Sequence, residues 1–244
     1  MKLTYYGHSC FAVEVNARPN DSSGRGKKLL FDPFITYNEL AKNIRIADVE
    51  ADYILLSHGH ADHIADCIAI AQSTGAKVIC SWEIHEWLNK QKVTNTHPMN
   101  TGGRWDFSDF VVKCVVAQHS SGLPDGSYGW NPMGFIVYGK EARLNDEVGQ
   151  GNFYYSGDTA LTLDMQLIPK WVKLNFAVLP IGDNFTMGYA DAVVAAKMIG
   201  CNKIVGVHYD TFGFIKIDHD QAIKAFADAG CKLFLIDIGK TITL

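Results

Sequence analysis

Three histidines and an aspartate stand within six consecutive positions of this 244-residue chain. They are His58, His60, Asp62 and His63. The apolar residues at 54–56, just before them, predict a short buried strand. After them, apolar residues at helical spacing predict a helix over 62–72. These four side chains are therefore expected where a buried strand passes into a helix.

The spacing of the four residues indicates two ligand directions. In an extended segment, side chains two positions apart point the same way, so His58 and His60 can bind one ion. Asp62 and His63 occupy the turn and the first helical positions, and they are expected to face a second, neighbouring ion. Gly59 leaves room between the ligands and permits an unusual backbone angle. Isolated histidines are mostly surface or satisfied core residues, but this grouping predicts a site for two metal ions.

The composition favours a soluble globular protein with one large domain, residues 1–244. Hydrophobic residues make up 48% and charged residues 20% of the chain, which is ordinary for such proteins. The net charge of −4 gives no general attraction to nucleic acid. No apolar run reaches the length of a membrane span, and no secretory leader opens the chain. We therefore expect neither a nucleic-acid partner nor a membrane.

The six cysteines are scattered and form no C-x-x-C pair. Several lie in apolar runs and are interpreted as small buried hydrophobic residues. Cysteines used in this way suit a reducing compartment. The expected location is the cytoplasm.

Further acidic residues and histidines follow apolar segments along the chain. Asp32 follows the predicted strand at 29–31, and by itself it can also be interpreted as an Asp-Pro turn starter. Three others follow later predicted strands: His119, Asp158 and His208. Predicted helices lie between several strands, which indicates mixed sheets with helices packed on them.

Several connecting segments are predicted from composition. Residues 16–28 and 140–150 are polar and are expected to be a loop and a hairpin tip. Residues 35–49 are expected to be irregular or weakly helical. His97 is expected in a loop that contains Gly102 and Gly103.

The segment from His58 to His63 resembles the HxHxDH motif of the metallo-β-lactamase superfamily. The remaining candidates follow in the superfamily's order, and the resemblance covers nearly the full chain. The motifs around His8 and Asp158, together with residues 180–188, resemble a small prokaryotic family of uncharacterised metal-dependent hydrolases related to the ascorbate-6-phosphate lactonases. The resemblance implies an α/β fold, a four-layer αβ/βα sandwich of two mixed β-sheets with helices outside. The site is then expected at one edge, where strand ends meet.

The resemblance also implies a role for each candidate residue. His119 becomes the third ligand of the first metal, and His208 becomes the last ligand of the second. Asp158 becomes the bridge, because a carboxylate has two oxygens and can hold two cations. Asp32 is expected to lie behind the ligands and to orient one of them by accepting a hydrogen bond.

Three more residues are expected near the substrate: His8, His97 and Asn184. For His8 and His97, a surface or structural histidine remains an equal alternative.

Imidazole and carboxylate ligands without a thiolate favour zinc, and the same set accepts manganese or iron. Two such ions about 3.5–4 Å apart lower the pKa of water towards about 7, so hydroxide is available at neutral pH. Asp62 or a second water can pass the proton to the leaving group. Di-iron redox chemistry in the superfamily normally brings an attached flavin domain, for which this length leaves no room.

The sequence thus predicts a metal-dependent hydrolase of a small ester, lactone or phosphorylated compound. One alternative is a phosphodiesterase or nuclease of the tRNA-processing type, although the acidic charge argues against it. Another is a non-catalytic metal-binding protein on the same scaffold. The expected partner is a small-molecule substrate, and a homo-oligomer remains open.

Overall fold

The computed structural model describes residues 1–15, 26–139 and 151–244. Most of the predicted loop at 16–28 and the whole predicted tip at 140–150 therefore lie outside the described residues. Contacts within the chain define two compact units. Unit 1 comprises Met1–Gly103, Ser120–Pro132 and Asp237–Leu244, and unit 2 comprises Arg104–His119 and Met133–Ile236. That residues 1–244 act as a single domain stays a prediction.

Unit 1 contains a seven-stranded mixed sheet with the order β14-β1-β2-β3-β4-β5-β6. Strands β14, β1, β2 and β3 pair antiparallel, and β3, β4, β5 and β6 pair parallel. The strands are β1 (Lys2–Gly7), β2 (Cys10–Val15), β3 (Lys27–Phe31), β4 (Tyr53–Leu55), β5 (Lys77–Cys80), β6 (Thr96–Pro98) and β14 (Thr241–Thr243).

Unit 2 contains a second seven-stranded mixed sheet, with the order β13-β12-β11-β10-β9-β8-β7. Here β13 to β10 pair parallel, and β10 to β7 pair antiparallel. The strands are β7 (Arg104–Asp106), β8 (Val111–Val116), β9 (Met133–Tyr138), β10 (Phe153–Tyr155), β11 (Phe176–Pro180), β12 (Lys203–Val207) and β13 (Lys232–Phe234). Every residue of β10 and β11 is buried, as expected for strands covered on both faces.

Helices accompany both sheets. Unit 1 has α1 (Ala61–Ile64), α2 (Cys67–Thr74) and α3 (Trp82–Lys90), with short 3₁₀ helices at Glu39–Ala41 and Ile46–Asp48. Unit 2 has α4 (Tyr189–Met198) and α5 (His219–Asp228), with 3₁₀ helices at Leu163–Lys170 and Gly213–Ile215. None of the helices in the described part of the chain is both long and apolar enough to cross a membrane.

Capping side chains fix two of the helix starts. The Ser81 side chain accepts a hydrogen bond from the Ile84 backbone N–H at the start of α3. Asp218 does the same for the Gln221 N–H at the start of α5. Such caps each stabilise a helix by about 1 kcal/mol, because the first N–H groups have no partner within the helix.

Each unit has its own buried apolar cluster, in which strand and helix residues pack together. In unit 1, Leu30, Ile54 and Val78 of the sheet belong to one cluster with Ile70 and Ile84 of the helices. In unit 2, the corresponding cluster joins strand residues such as Ile204 to helix residues such as Phe226. Each fully buried large apolar side chain contributes about 1.5–3 kcal/mol to folding. The predicted α/β class with two mixed sheets is confirmed.

Three local expectations need correction. The single helix predicted over 62–72 is two helices, α1 and α2, separated at Ala65 and Asp66. The loop predicted around His97 is instead the edge strand β6, in which His97 pairs with Ile79. The weakly helical segment at 35–49 is confirmed as two 3₁₀ helices.

Candidate metal centre

The candidate residues of unit 1 follow strands that end at one edge of its sheet. His8 follows β1, Asp32 follows β3, and His58 follows β4 within three residues. Strands β3 and β4 are parallel, and β1 runs in the same direction because both β1 and β3 are antiparallel to β2. Carboxyl ends of parallel strands are the usual position of ligand sites in α/β proteins.

The backbone turns sharply at three of these strand ends. His8, Asp32 and His208 are each the first residue after a strand, and their φ angles are 54°, 41° and 55°. This left-handed conformation is uncommon for residues other than glycine and costs about 1–3 kcal/mol each. Strain of this kind concentrates at functional sites, where the surrounding structure holds it.

His58 and His60 direct ring nitrogens at one another. His58 Nε2 lies 2.9 Å from His60 Nδ1, so the alternating spacing brings the two imidazoles together as predicted. The Ser57 hydroxyl donates to Asp32 Oδ2 at 2.5 Å and lies 2.9 Å from His58 Nδ1. Because that hydroxyl has one proton and gives it to Asp32, it must accept from the His58 Nδ1–H. His58 Nε2 therefore keeps a lone pair that can bind a cation.

Asp32 joins the two halves of the histidine motif. Its Oδ2 atom lies 2.9 Å from His63 Nδ1, and its Oδ1 atom accepts from the Ser57 backbone N–H at 2.8 Å. Asp32 and His63 are fully buried. Because the Asp32 carboxylate takes the hydrogen bond of His63 Nδ1, His63 Nε2 remains to bind a metal. This is the arrangement expected of a carboxylate that orients a metal ligand. The structure thus places Asp32 where the predicted role requires it, and the role itself stays a prediction.

Asp62 is held by His8. Asp62 Oδ2 lies 3.0 Å from His8 Nε2 and 4.0 Å from His63 Nε2. The His8 side chain is fully buried, whereas Asp62 is 27% exposed. The His8 ring also contacts the Phe34 ring edge to face, with centroids 5.6 Å apart. His8 thus contacts both Asp62 and Phe34, and contact of His8 with substrate stays a prediction.

The remaining three ligand candidates meet in unit 2. Asp158 Oδ2 lies 2.9 Å from His208 Nε2 and 3.7 Å from His119 Nε2. Asp158 and His208 are buried, and His119 is half-buried. One carboxylate oxygen therefore lies beside an imidazole nitrogen of each histidine.

Two close contacts hold the loops that follow the strands of unit 2. The Gln118 N–H donates to Thr159 Oγ1 at 2.9 Å, which joins the loop of His119 to that of Asp158. Gly182 packs against the His208 backbone so closely that a Cβ atom at Gly182 would lie 2.0 Å from the His208 carbonyl oxygen. Only glycine fits at this position without displacing His208.

The donor set fits divalent cations within each unit. A tetrahedral ion about 2.0–2.1 Å from its ligands separates two ligand atoms by about 3.3 Å. The separations of 2.9 Å for His58 and His60, and of 2.9 and 3.7 Å around Asp158, bracket that value. The residues present are therefore of the right type and spacing.

The structure gives a different explanation for glycine at position 59 from the predicted unusual backbone angle. Its φ angle is not in the left-handed region, so an unusual backbone angle does not explain it. A Cβ atom at Gly59 would instead lie 3.0 Å from the Leu123 side chain. The Gly59 N–H donates to Ser121 Oγ at 3.1 Å. Glycine here allows a close approach of the loop at 121–123.

Two residues that were predicted near the substrate, His97 and Asn184, do not belong to the groups of ligand candidates described above. His97 pairs with Ile79, which pairs with Leu55, so His97 lies two strands, or about 9.6 Å, from β4. Burial and the charge of Lys77 lower the pKa of His97. Asn184 lies in unit 2 with a φ angle of 56° and lines a cavity of about 490 Å³ together with Gly182. Contact of either residue with substrate stays a prediction.

Sequence reasoning missed Ser57 and Asp66. Asp66 is buried. Its Oδ2 atom accepts from the backbone N–H groups of Ile35 and Thr36 at 2.6 and 2.9 Å, and its Oδ1 atom accepts from the Thr36 hydroxyl. Asp66 therefore ties the segment after Asp32 to the helices that follow the histidine motif. An acidic residue inside a helical pattern gave no signal of this role.

Two buried cysteines of unit 1, Cys10 and Cys67, have shifted thiol pKa values. Burial raises the pKa of Cys10 and of Cys67. Both thiols therefore stay protonated at neutral pH in the metal-free protein. That the metal ligands are imidazoles and carboxylates stays a prediction.

Two mixed sheets with histidines and aspartates after the carboxyl ends of their strands define the metallo-β-lactamase class of proteins. The family model described as "Beta-lactamase superfamily domain" matches residues 27–209. The chain belongs to this family, and its relatives within it carry the name UPF0173 metal-dependent hydrolase.

The similarity to these relatives extends over the full length. The chain is 49% identical over 245 residues to the UPF0173 metal-dependent hydrolase of Christiangramia forsetii and 48% identical over 244 residues to that of Flavobacterium johnsoniae. Each match covers 100% of both chains. Igni18, a metallo hydrolase from the archaeon Ignicoccus hospitalis, has a solved structure that is 31% identical, with a TM-score of 0.82. That match covers 99% of this chain and 97% of Igni18. The predicted family and fold are thereby confirmed, and the chain is a member of a family of metal-dependent hydrolases.

Proposed function

We propose that this protein holds two divalent cations and hydrolyses a small-molecule ester, lactone or phosphorylated compound. His58, His60 and His119 would hold the first cation, and Asp62, His63 and His208 would hold the second. Asp158 would be a ligand of both. The observation that carries this proposal is the position of Asp158 Oδ2, at 3.7 Å from His119 Nε2 and 2.9 Å from His208 Nε2. That single oxygen lies beside one candidate ligand of each cation.

When bound, two such cations supply hydroxide at neutral pH and polarise the oxygen of the bond to be cleaved. The residues of the chain orient the ligands. The Asp32 carboxylate accepts a hydrogen bond from His63 Nδ1 and so directs His63 Nε2 towards the metal. The Ser57 hydroxyl accepts one from His58 Nδ1 and so directs His58 Nε2 towards the metal. His8 Nε2 fixes the Asp62 carboxylate, so that Asp62 takes up a proton and delivers it to the leaving group.

Zinc is the cation that this ligand set favours. Imidazole and carboxylate without thiolate suit zinc, and they suit manganese or iron as well.

The six cysteines are all buried and unbridged, which supports the cytoplasm as the location of the enzyme.

The substrate class is tested by a turnover panel of esters, lactones and phosphodiesters with zinc or manganese restored. We expect turnover of an ester or lactone, and we expect His60→Ala to reduce kcat/KM by at least about 10³-fold, because one of the three histidine ligands of the first cation is lost. Asn95→Ala, a surface change in unit 1, serves as the control and should match the wild type. Turnover confined to phosphodiesters would move the assignment to the nuclease class. Equal activity of His60→Ala and the wild type would contradict a catalytic metal centre.

A further inference from the structure

An apolar cavity of about 380 Å³ lies beside the helices that follow the histidine motif in unit 1. One wall is formed by Ala61 and Ile64 of α1, by Ala65 in the break between the two helices, and by Ile68 of α2. The volume falls in the range of about 300–1,000 Å³ that is typical of small-molecule sites.

Aromatic side chains complete the lining of this cavity. Phe34, Tyr37 and Trp87 contribute rings, and Pro124 contributes its ring carbons. Tyr37 is 72% exposed, so it forms part of the rim. No Asp, Glu, Lys, Arg or His is among the residues that line the cavity in the described part of the chain. A phosphate or carboxylate would lose its hydration there without a compensating partner, whereas a hydrocarbon group would gain from burial.

The cavity shares its walls with the candidate metal centre. Ala61 stands between His60 and Asp62 in the chain, and Ile64 directly follows His63. On the other side, the Phe34 ring that lines the cavity contacts the ring of His8, which in turn holds Asp62. The lining of the cavity is therefore connected to Asp62 through the contacts of Phe34 with His8 and of His8 with Asp62.

We propose that this cavity binds an aliphatic or aromatic part of the substrate. The substrate is then an ester or lactone of an apolar acid or alcohol, and a compound that places a phosphoryl group there is excluded. This inference rests on the proposed function and narrows it. The metal centre performs the cleavage, and the cavity selects what is cleaved.

The first test is the chain-length dependence of turnover. With p-nitrophenyl acetate, butyrate, hexanoate and octanoate, kcat/KM should rise up to about fourfold per methylene group that enters the cavity. Ala65→Phe places a ring in the cavity, and it should reduce the octanoate-to-acetate ratio of kcat/KM to about one. Ala227→Phe, at an exposed position of α5, serves as the control and should keep the wild-type ratio. A wild-type ratio near one, or an unchanged ratio in Ala65→Phe, would overturn the proposal.

The second test measures binding without turnover. Prodan, an uncharged naphthalene dye, is titrated into the metal-loaded protein and followed by its fluorescence. We expect affinity to fall about tenfold in Ala65→Phe and in Tyr37→Asp, which places a carboxylate at the rim. The change at Tyr37 is on the surface, so it keeps the test valid if Ala65→Phe folds poorly. Ala227→Phe again serves as the control.

The two tests separate failure of this inference from failure of the proposed function. If no ester is cleaved but both variants weaken prodan binding, the cavity is an apolar ligand site and the hydrolytic proposal is wrong. If esters are cleaved but prodan binds all variants equally, the hydrolytic proposal stands and the cavity assignment is wrong.

Discussion

Asp158→Asn should reduce kcat/KM by at least about 10³-fold, equivalent to about 4 kcal/mol of transition-state stabilisation. The side chain keeps its shape, but it loses the negative charge that would be shared by two cations in the proposed centre. Asp158 is buried beside His119 and His208. We expect the metal content to fall from about two ions per chain to one or fewer. Elemental analysis and steady-state kinetics on the same preparation measure both effects.

The matched control for this change is Asp228→Asn. Asp228 is exposed on α5 and pairs with Lys224 at 2.7 Å, an interaction that contributes about 0.3–0.5 kcal/mol at most. Its metal content and activity should equal those of the wild type. Full metal content together with wild-type activity in Asp158→Asn would show that Asp158 is not a bridging ligand.

Asp32→Asn should weaken metal binding by about 10–100-fold, because Asp32 orients His63 and anchors Ser57. The amide has one acceptor oxygen, whereas the carboxylate accepts from the Ser57 hydroxyl, the Ser57 N–H and His63 Nδ1. At least one buried donor is left without its partner. We therefore also expect the metal-free protein to lose about 2–3 kcal/mol of unfolding free energy. Metal titration and denaturant unfolding of the metal-free protein measure the two effects separately.

Ser57→Ala provides a graded comparison. It removes the hydroxyl between Asp32 and His58 but leaves the contact of Asp32 with His63 intact. Its metal affinity should lie between those of the wild type and Asp32→Asn. If Asp32→Asn binds metal as tightly as the wild type, the carboxylate does not orient a ligand.

Much of the candidate site could be predicted, because its residues follow a simple rule of position. His58 and His60 alternate along an extended segment, and the structure brings Nε2 of one to 2.9 Å from Nδ1 of the other. His119, Asp158 and His208 each follow an apolar strand, and apolar runs are the most readable signal in a sequence. Parallel strands then bring their carboxyl ends to one edge of a sheet.

Other features could not be predicted, because they depend on contacts between distant segments. The break between α1 and α2 coincides with Asp66, whose carboxylate caps the segment at Ile35 and Thr36. Helical periodicity carries no information about such a bond. Gly59 is explained by the approach of Leu123, which is remote in sequence. The left-handed turns at His8 and Asp32 are likewise imposed by the surrounding structure.

The apolar cavity could not be predicted either, because residues from several segments line it. Of the cavity residues within the helix predicted over 62–72, Ile64 is buried, whereas Ala65 and Ile68 are half-buried. The aromatic residues that line the same cavity come from other segments of unit 1. The proposed substrate subsite therefore depends on tertiary contacts, whereas the metal motif depends on local spacing.

The measurement that tests the central claim most directly is the metal content of the protein, determined by elemental analysis before and after restoration of zinc. The proposed ligand set predicts about two ions per chain after restoration. Well under one ion per chain, even after restoration, would contradict the dinuclear centre and would leave the family likeness as a likeness of fold.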